Sequence, residues 1–131
     1  MIALDTNMLV RALVADHPEQ LAVVRKLIAG NTIFLSRTVL LETEWVLRSR
    51  YRKTPAELQE FFGALLATDD VVVEAAEEVG SALDWYAQGA DFADALHLSA
   101  CGTALLHTFD RSFCKTARAT GIAPEVRVVE L

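Results

Sequence analysis

The sequence predicts an α/β protein, a three-layer α/β/α sandwich with a mainly parallel central sheet of about five strands. Short apolar runs alternate with helical patterns from one end of the chain to the other, the signature of a parallel sheet covered by helices on both faces. Proline, threonine and glycine mark several of the helix ends. No internal repeat, low-complexity tract or linker divides the chain, so residues 1–131 are expected to form a single domain.

Taken in order, "MIALDTN" is an apolar run ending in turn formers, a first strand that delivers Asp5 at its carboxyl end. "MLVRALVA" reads as a first helix. Pro18 opens a second, with Leu21, Val24, Leu27 and Ile28 at helical spacing and Gly30 as its stop. "TIFLS" is a second strand, and the pattern is helical again from Arg37 to about Arg50. "TPAELQEFFGALLAT" starts a further helix with Thr54 as N-cap, Pro55 in the first turn and Glu57 completing a capping box. "VVVE" is a third strand, followed by a helix from Ala75 to Gln88 that Gly89 ends. "DFADALHLSAC" is helical, "TALLHTF" is a strand presenting Asp110, "RSFCKTARATG" is a helix stopped by Gly121, and "EVRVVEL" is the last strand.

A chain of 131 residues with 53 % hydrophobic and 23 % charged residues has enough apolar side chain for a core without disulfide staples. Cys101 and Cys114 form no metal-type or redox-type spacing and read as reduced structural residues. The start carries no leader pattern and no apolar run approaches the roughly 20 residues of a spanning helix, so a cytoplasmic location is expected. A net charge of −6 argues against a simple polyphosphate-binding surface unless a bound cation reverses the local field.

The chemistry lies in the carboxylates. In an open parallel sheet, ligands bind beyond the carboxyl ends of the strands, where Asp5 and Asp110 are both expected. Asp91 and Asp94 begin a helix three residues apart and share a face. Singly, each has a plain structural role: Asp91 as an N-cap with Asp94 in the positive first turn, Asp5 in a strand-end turn with Thr6 and Asn7, Asp110 capping a helix from Arg111. Together they exceed what capping requires, and clustered carboxylates repel unless protonated or sharing a cation. Oxygen donors of this kind suit Mg²⁺ or Mn²⁺.

"LDTN", "LLETEWVLR" on the helix after the second strand, "DFADALH" and "HTFDRSF" stand in the order and approximate spacing of the PIN domain. The chain resembles above all the small VapC-type toxins of bacterial and archaeal toxin–antitoxin pairs, over essentially its whole length. That resemblance implies a Mg²⁺- or Mn²⁺-dependent ribonuclease. It puts the family's acids on Asp5, Glu42, Asp94 with Asp91 beside it, and Asp110, and supporting polar residues on Thr6, Asn7 and Thr108. Some relatives carry one more acid two residues after the last; here that place is Ser112. It also implies a homodimer and a VapB-like antitoxin that wraps the protein and covers the acidic pocket. Helical periodicity does not choose between Glu42 and Glu44; the family spacing to "WVL" selects Glu42, leaving Glu44 as a surface pair with Arg48 at i+4.

A site built this way performs metal-assisted phosphodiester hydrolysis, the ion activating water for in-line attack and neutralising charge on the phosphate. Asp5, Asp94 and Asp110 are then ligands, directly or through water, with Glu42 and Asp91 completing the shell. His97 and His107 lie near the acids but read as packed or capping residues, and His17 carries no assignment. For RNA, Arg48, Arg50, Arg52 and Lys53 surround Tyr51, and Arg111, Lys115 and Arg118 follow Asp110. They are candidates to clamp phosphates, with Tyr51 to stack on a base; the first cluster equally complements a helix dipole. Phe61, Phe62, Leu65 and Leu66 suit either a self-association surface or the core.

Two other classes compete. One is a catalytically silent PIN-like binding module acting through an antitoxin partner on DNA. The other is a phosphotransfer or phosphatase domain with a phosphorylated strand-end aspartate, but "DTN" lacks the second acid two residues on, and the early acidic pair with late lysine of a receiver domain is missing.

Overall fold

The computed structural model describes residues 1–131 and shows an α/β protein whose chain divides into two compact units, Met1–Ala76 and Glu77–Leu131. In the first, β1 (Ile2–Ala3), β2 (Ile33–Leu35) and β3 (Val71–Val73) pair in that order, all parallel. The register sets Ile33 between Ile2 and Val71. β2 is central, and Ile33 and Leu35 are buried to 2 % and 0 % exposure because both neighbours and the covering helices exclude water from them. In the second unit β4 (Leu106–Thr108) and β5 (Val126–Val128) pair in parallel, Thr108 opposite Val128. The five expected strands and their parallel sense are present, but hydrogen bonding divides them into a three-stranded and a two-stranded sheet.

Local signals set most helix starts. α1 (Thr6–Leu13) begins where the Asp5 carboxylate accepts the Met8 amide, and α2 (Pro18–Gly30) where the His17 ring accepts that of Gln20. Ser36 caps α3 (Arg37–Ser49) through the Val39 amide. At the far end, Arg52 in the left-handed region turns the Lys53 amide back onto the Leu47 carbonyl. α4 (Pro55–Ala67) carries the full capping box between Thr54 and Glu57. It buries Leu58 and Phe62 to 1 % exposure, so Phe62 is core, while Phe61, Leu65 and Leu66 are half-buried.

In the second unit, α5 (Ala76–Ala87) ends at Gly89, whose φ of 93° a side chain would oppose. α6 (Phe92–Ser99) is capped by Asp91 and packs the Phe92 ring against Tyr86 with centroids 5.3 Å apart. The helix expected from Arg111 is shorter. Only α7 (Lys115–Ala119) is helical, because the Asp110 carboxylate draws the Ser112 amide into a turn and Cys114 takes a left-handed conformation. No helix is long and apolar enough to cross a membrane.

Candidate active site

Asp5, Ser36 and Glu74 follow the three strands of the first sheet at their carboxyl ends. Asp5 is exposed, and its Oδ1 accepts the Met8 amide at 3.1 Å. Thr6 beside it is buried and Asn7 exposed. Glu74, which sequence reading passed over, accepts the Arg37 amide at 2.8 Å and lies 3.6 Å from the Arg37 guanidinium. A carboxylate there complements the positive end of α3 and fixes the helix that carries Glu42.

On α3, Glu42 is exposed and Glu44 is turned inward at 3 % exposure. Glu44 does pair with Arg48, at 2.9 Å, but it is a buried carboxylate and not the surface partner expected. The helix points the two acids in different directions, and packing takes the second.

The second unit brings Asp91 and Asp110 within electrostatic reach of Asp94. Burial, then the charges of Asp91 and Asp110, push the Asp94 carboxyl above its ordinary range, with His97 opposing. Asp91 Oδ1 accepts the Asp94 amide at 3.0 Å. Asp110 is held below the usual carboxylate range, first by the Ser112 hydroxyl at 2.6 Å and then by the Ser112 amide at 2.8 Å, with a smaller contribution from the Arg118 charge. Thr108 Oγ1 accepts the Asp110 amide at 3.0 Å and closes the same turn.

One regularity joins these acids. Asp5, Asp91 and Asp110 each engage a local amide through Oδ1 alone, so capping leaves the second oxygen of each for another partner.

A PIN domain model matches residues 2–119. This chain belongs to the PIN domain family. PIN domains are typically nucleases that use divalent metals, and the α/β build with parallel strands agrees with the PIN-like α/β/α fold. No curated protein and no solved structure gives a significant match to the chain.

The PIN chemistry can be set against the donors present. The candidate acids offer hard oxygen ligands only, with Asp91 and Asp110 charges converging on Asp94, which suits a divalent ion that retains part of its water shell. Within neither unit do three His, Cys, Asp or Glu side chains close into a group that could hold a metal ion.

Cys114, expected as a structural thiol, and Arg118, expected as a phosphate clamp, are both coupled to the PIN acids. The Cys114 thiol is pushed up to about 11, chiefly by burial and then by the Asp94 charge. Arg118 donates to the Arg111 carbonyl at 3.0 Å while its charge bears on Asp110 and Cys114. The cationic residues are mostly engaged. The Tyr51 hydroxyl lies 3.2 Å from Arg11 and 3.4 Å from Asp16, Lys53 is 3.9 Å from Glu57, and Arg111 is 3.2 Å from Glu130. Arg50, Arg52 and Lys115 are exposed without an ion pair.

Proposed function

We propose that this PIN domain, acting as one domain across both units, is a Mg²⁺- or Mn²⁺-dependent endoribonuclease and the toxin of a VapBC-type pair, working as a homodimer neutralised by a VapB-like antitoxin in the cytoplasm. Asp5, Glu42, Asp94 and Asp110 are its metal-holding carboxylates, Asp91 their support, and Thr6, Asn7 and Thr108 the polar residues around them. The observation that carries this reading is the uncommitted oxygen on each aspartate that also caps or turns the backbone. When bound, the metal supplies an activated water and neutralises charge on the scissile phosphate. The chain's own residues prepare for it. Asp91 caps α6 and so orients Asp94, the Ser112 and Thr108 bonds hold Asp110, and Glu74 anchors the start of α3. Arg50, Arg52 and Lys115 are the cations available to RNA phosphates, with Arg48, Lys53 and Arg111 reachable on exchange of their present partners.

The test is cleavage of single-stranded RNA with Mg²⁺ or Mn²⁺. Loss of cleavage with chelator and in Asp94→Asn, the far-ultraviolet dichroism unchanged, is the expected result. Full activity under either condition removes the nuclease assignment. Metal binding without cleavage favours a silent binding module.

A further inference from the structure

Only two large aromatic rings of the chain stand well exposed, Trp45 at 51 % and Phe109 at 70 %. Each adjoins a candidate carboxylate. Trp45 lies three residues after Glu42 on one face of α3, lining with it, Thr38 and Leu41 an open depression of about 480 Å³. Phe109 immediately precedes Asp110. Leaving such rings in water forgoes the burial that normally stabilises them.

The cations follow the same pattern. Four of the twelve Lys and Arg residues lie between Arg48 and Lys53, just after Trp45, and three more between Arg111 and Arg118, just after Phe109. In a chain of net charge −6, more than half of the positive charge is thus strung behind the two exposed rings.

We infer that Trp45 and Phe109, each within its own unit, are stacking platforms for an unpaired base of single-stranded RNA, with the cations that follow each ring in the chain available to the RNA backbone. The inference rests on the ribonuclease reading for its substrate and adds how that substrate is gripped. Flat rings for the bases together with cations for the backbone are the chemistry by which single strands are held irrespective of sequence. Duplex RNA offers no free base faces to it. A second copy of the chain is the competing occupant of the Trp45 face. A two-fold contact centred there brings the same patch to itself, and with it the exposed Glu42 carboxylates of both copies.

The experiment is a titration of the full chain with a short single-stranded oligoadenylate RNA in the presence of chelator, followed by tryptophan fluorescence and by anisotropy of a labelled RNA. Trp85 is 6 % exposed with its indole nitrogen donating to the Ile122 carbonyl at 3.1 Å, so quenching reports Trp45. Expected are quenching in the wild type, affinity weakened about tenfold in Trp45→Leu and in Phe109→Leu, recovery in Trp45→Phe, and a raised KM with kcat retained when metal is restored. Both leucine variants should keep the wild-type melting temperature.

Unchanged affinity in both leucine variants overturns the inference, as does Trp45→Leu turning a dimer into a monomer with RNA affinity intact. RNA affinity that falls in each leucine variant, from a wild-type protein that cuts none, upholds the inference while removing the nuclease reading. Cleavage with unaltered KM in both variants does the reverse.

Discussion

Asp91 Oδ1 accepts the Asp94 amide at 3.0 Å, so two carboxylates three residues apart on one helix do different work. The first fixes the helix start, and the second is the partly buried acid on which neighbouring negative charge converges. Asn at position 91 retains a cap, and Ala does not. Asp91→Ala should therefore lower stability by about 1 kcal/mol and Asp91→Asn by much less, read as a shift in melting temperature. Asp94→Asn should cost RNA cleavage at least about a hundredfold, the scale on which losing one group that stabilises transition-state charge acts, and more than Asp91→Asn. Equal or reversed losses would overturn the ranking of Asp94 above Asp91.

Glu42 and Glu44 are separated by the same kind of comparison. Glu42→Gln should abolish cleavage at an unchanged melting temperature. Glu44→Gln should keep cleavage and lose stability by about 2 kcal/mol, since hydrogen bonds to buried charged groups are worth that much. Denaturant midpoints and cleavage rates on both variants check it, and the opposite assignment would exchange the two results.

The Thr54–Glu57 capping box predicts a pH dependence. The backbone amide and then the hydroxyl of Thr54 lower the Glu57 pKa, with desolvation opposing. Its folded value therefore lies below its unfolded one. The contribution is fully present above the ordinary glutamate range and is lost as pH falls through the lowered folded value. Glu57→Gln should flatten the acid limb of the stability curve, and Thr54→Ala should cost about 1 kcal/mol at neutral pH; a mutant curve parallel to the wild type throughout would contradict the first expectation.

The two cysteines should differ in reactivity. Cys114 is buried with its thiol pushed up to about 11, whereas Cys101 is half-buried, its sulfur 3.2 Å from the His97 carbonyl. Thiolate is the reactive form. Iodoacetamide near pH 8 should label Cys101 well before Cys114 in the folded chain, as peptide mass spectrometry would resolve, and equal labelling would mean that the α7 end opens.

Element order was legible in the sequence where the signal is local. Pro18, the Thr54–Glu57 box and Gly89 mark helix ends through bonds and backbone angles within a few residues of themselves. The segment from Arg111 was misjudged for a related reason. Its residues suit a helix, but the Asp110 carboxylate bonds the Ser112 amide and hydroxyl and makes a turn of the first residues. The spacing of the acids was legible too, and their role came from a resemblance in pattern that the family match over residues 2–119 supports at the level of the PIN domain.

The sequence by itself determined the alternation of strands and helices, the capping residues, and the placement of Asp5 and Asp110 just beyond strand ends. Only the tertiary structure decided that Glu44 is buried while Glu42 is exposed, that Phe62 is core, that Glu74 holds the first turn of α3, and that Trp45 and Phe109 face water. The physical reason is range. Caps and turns are made by neighbours in the chain, whereas burial and charge coupling depend on residues that only folding brings near, and no local pattern records which face of a helix they will cover.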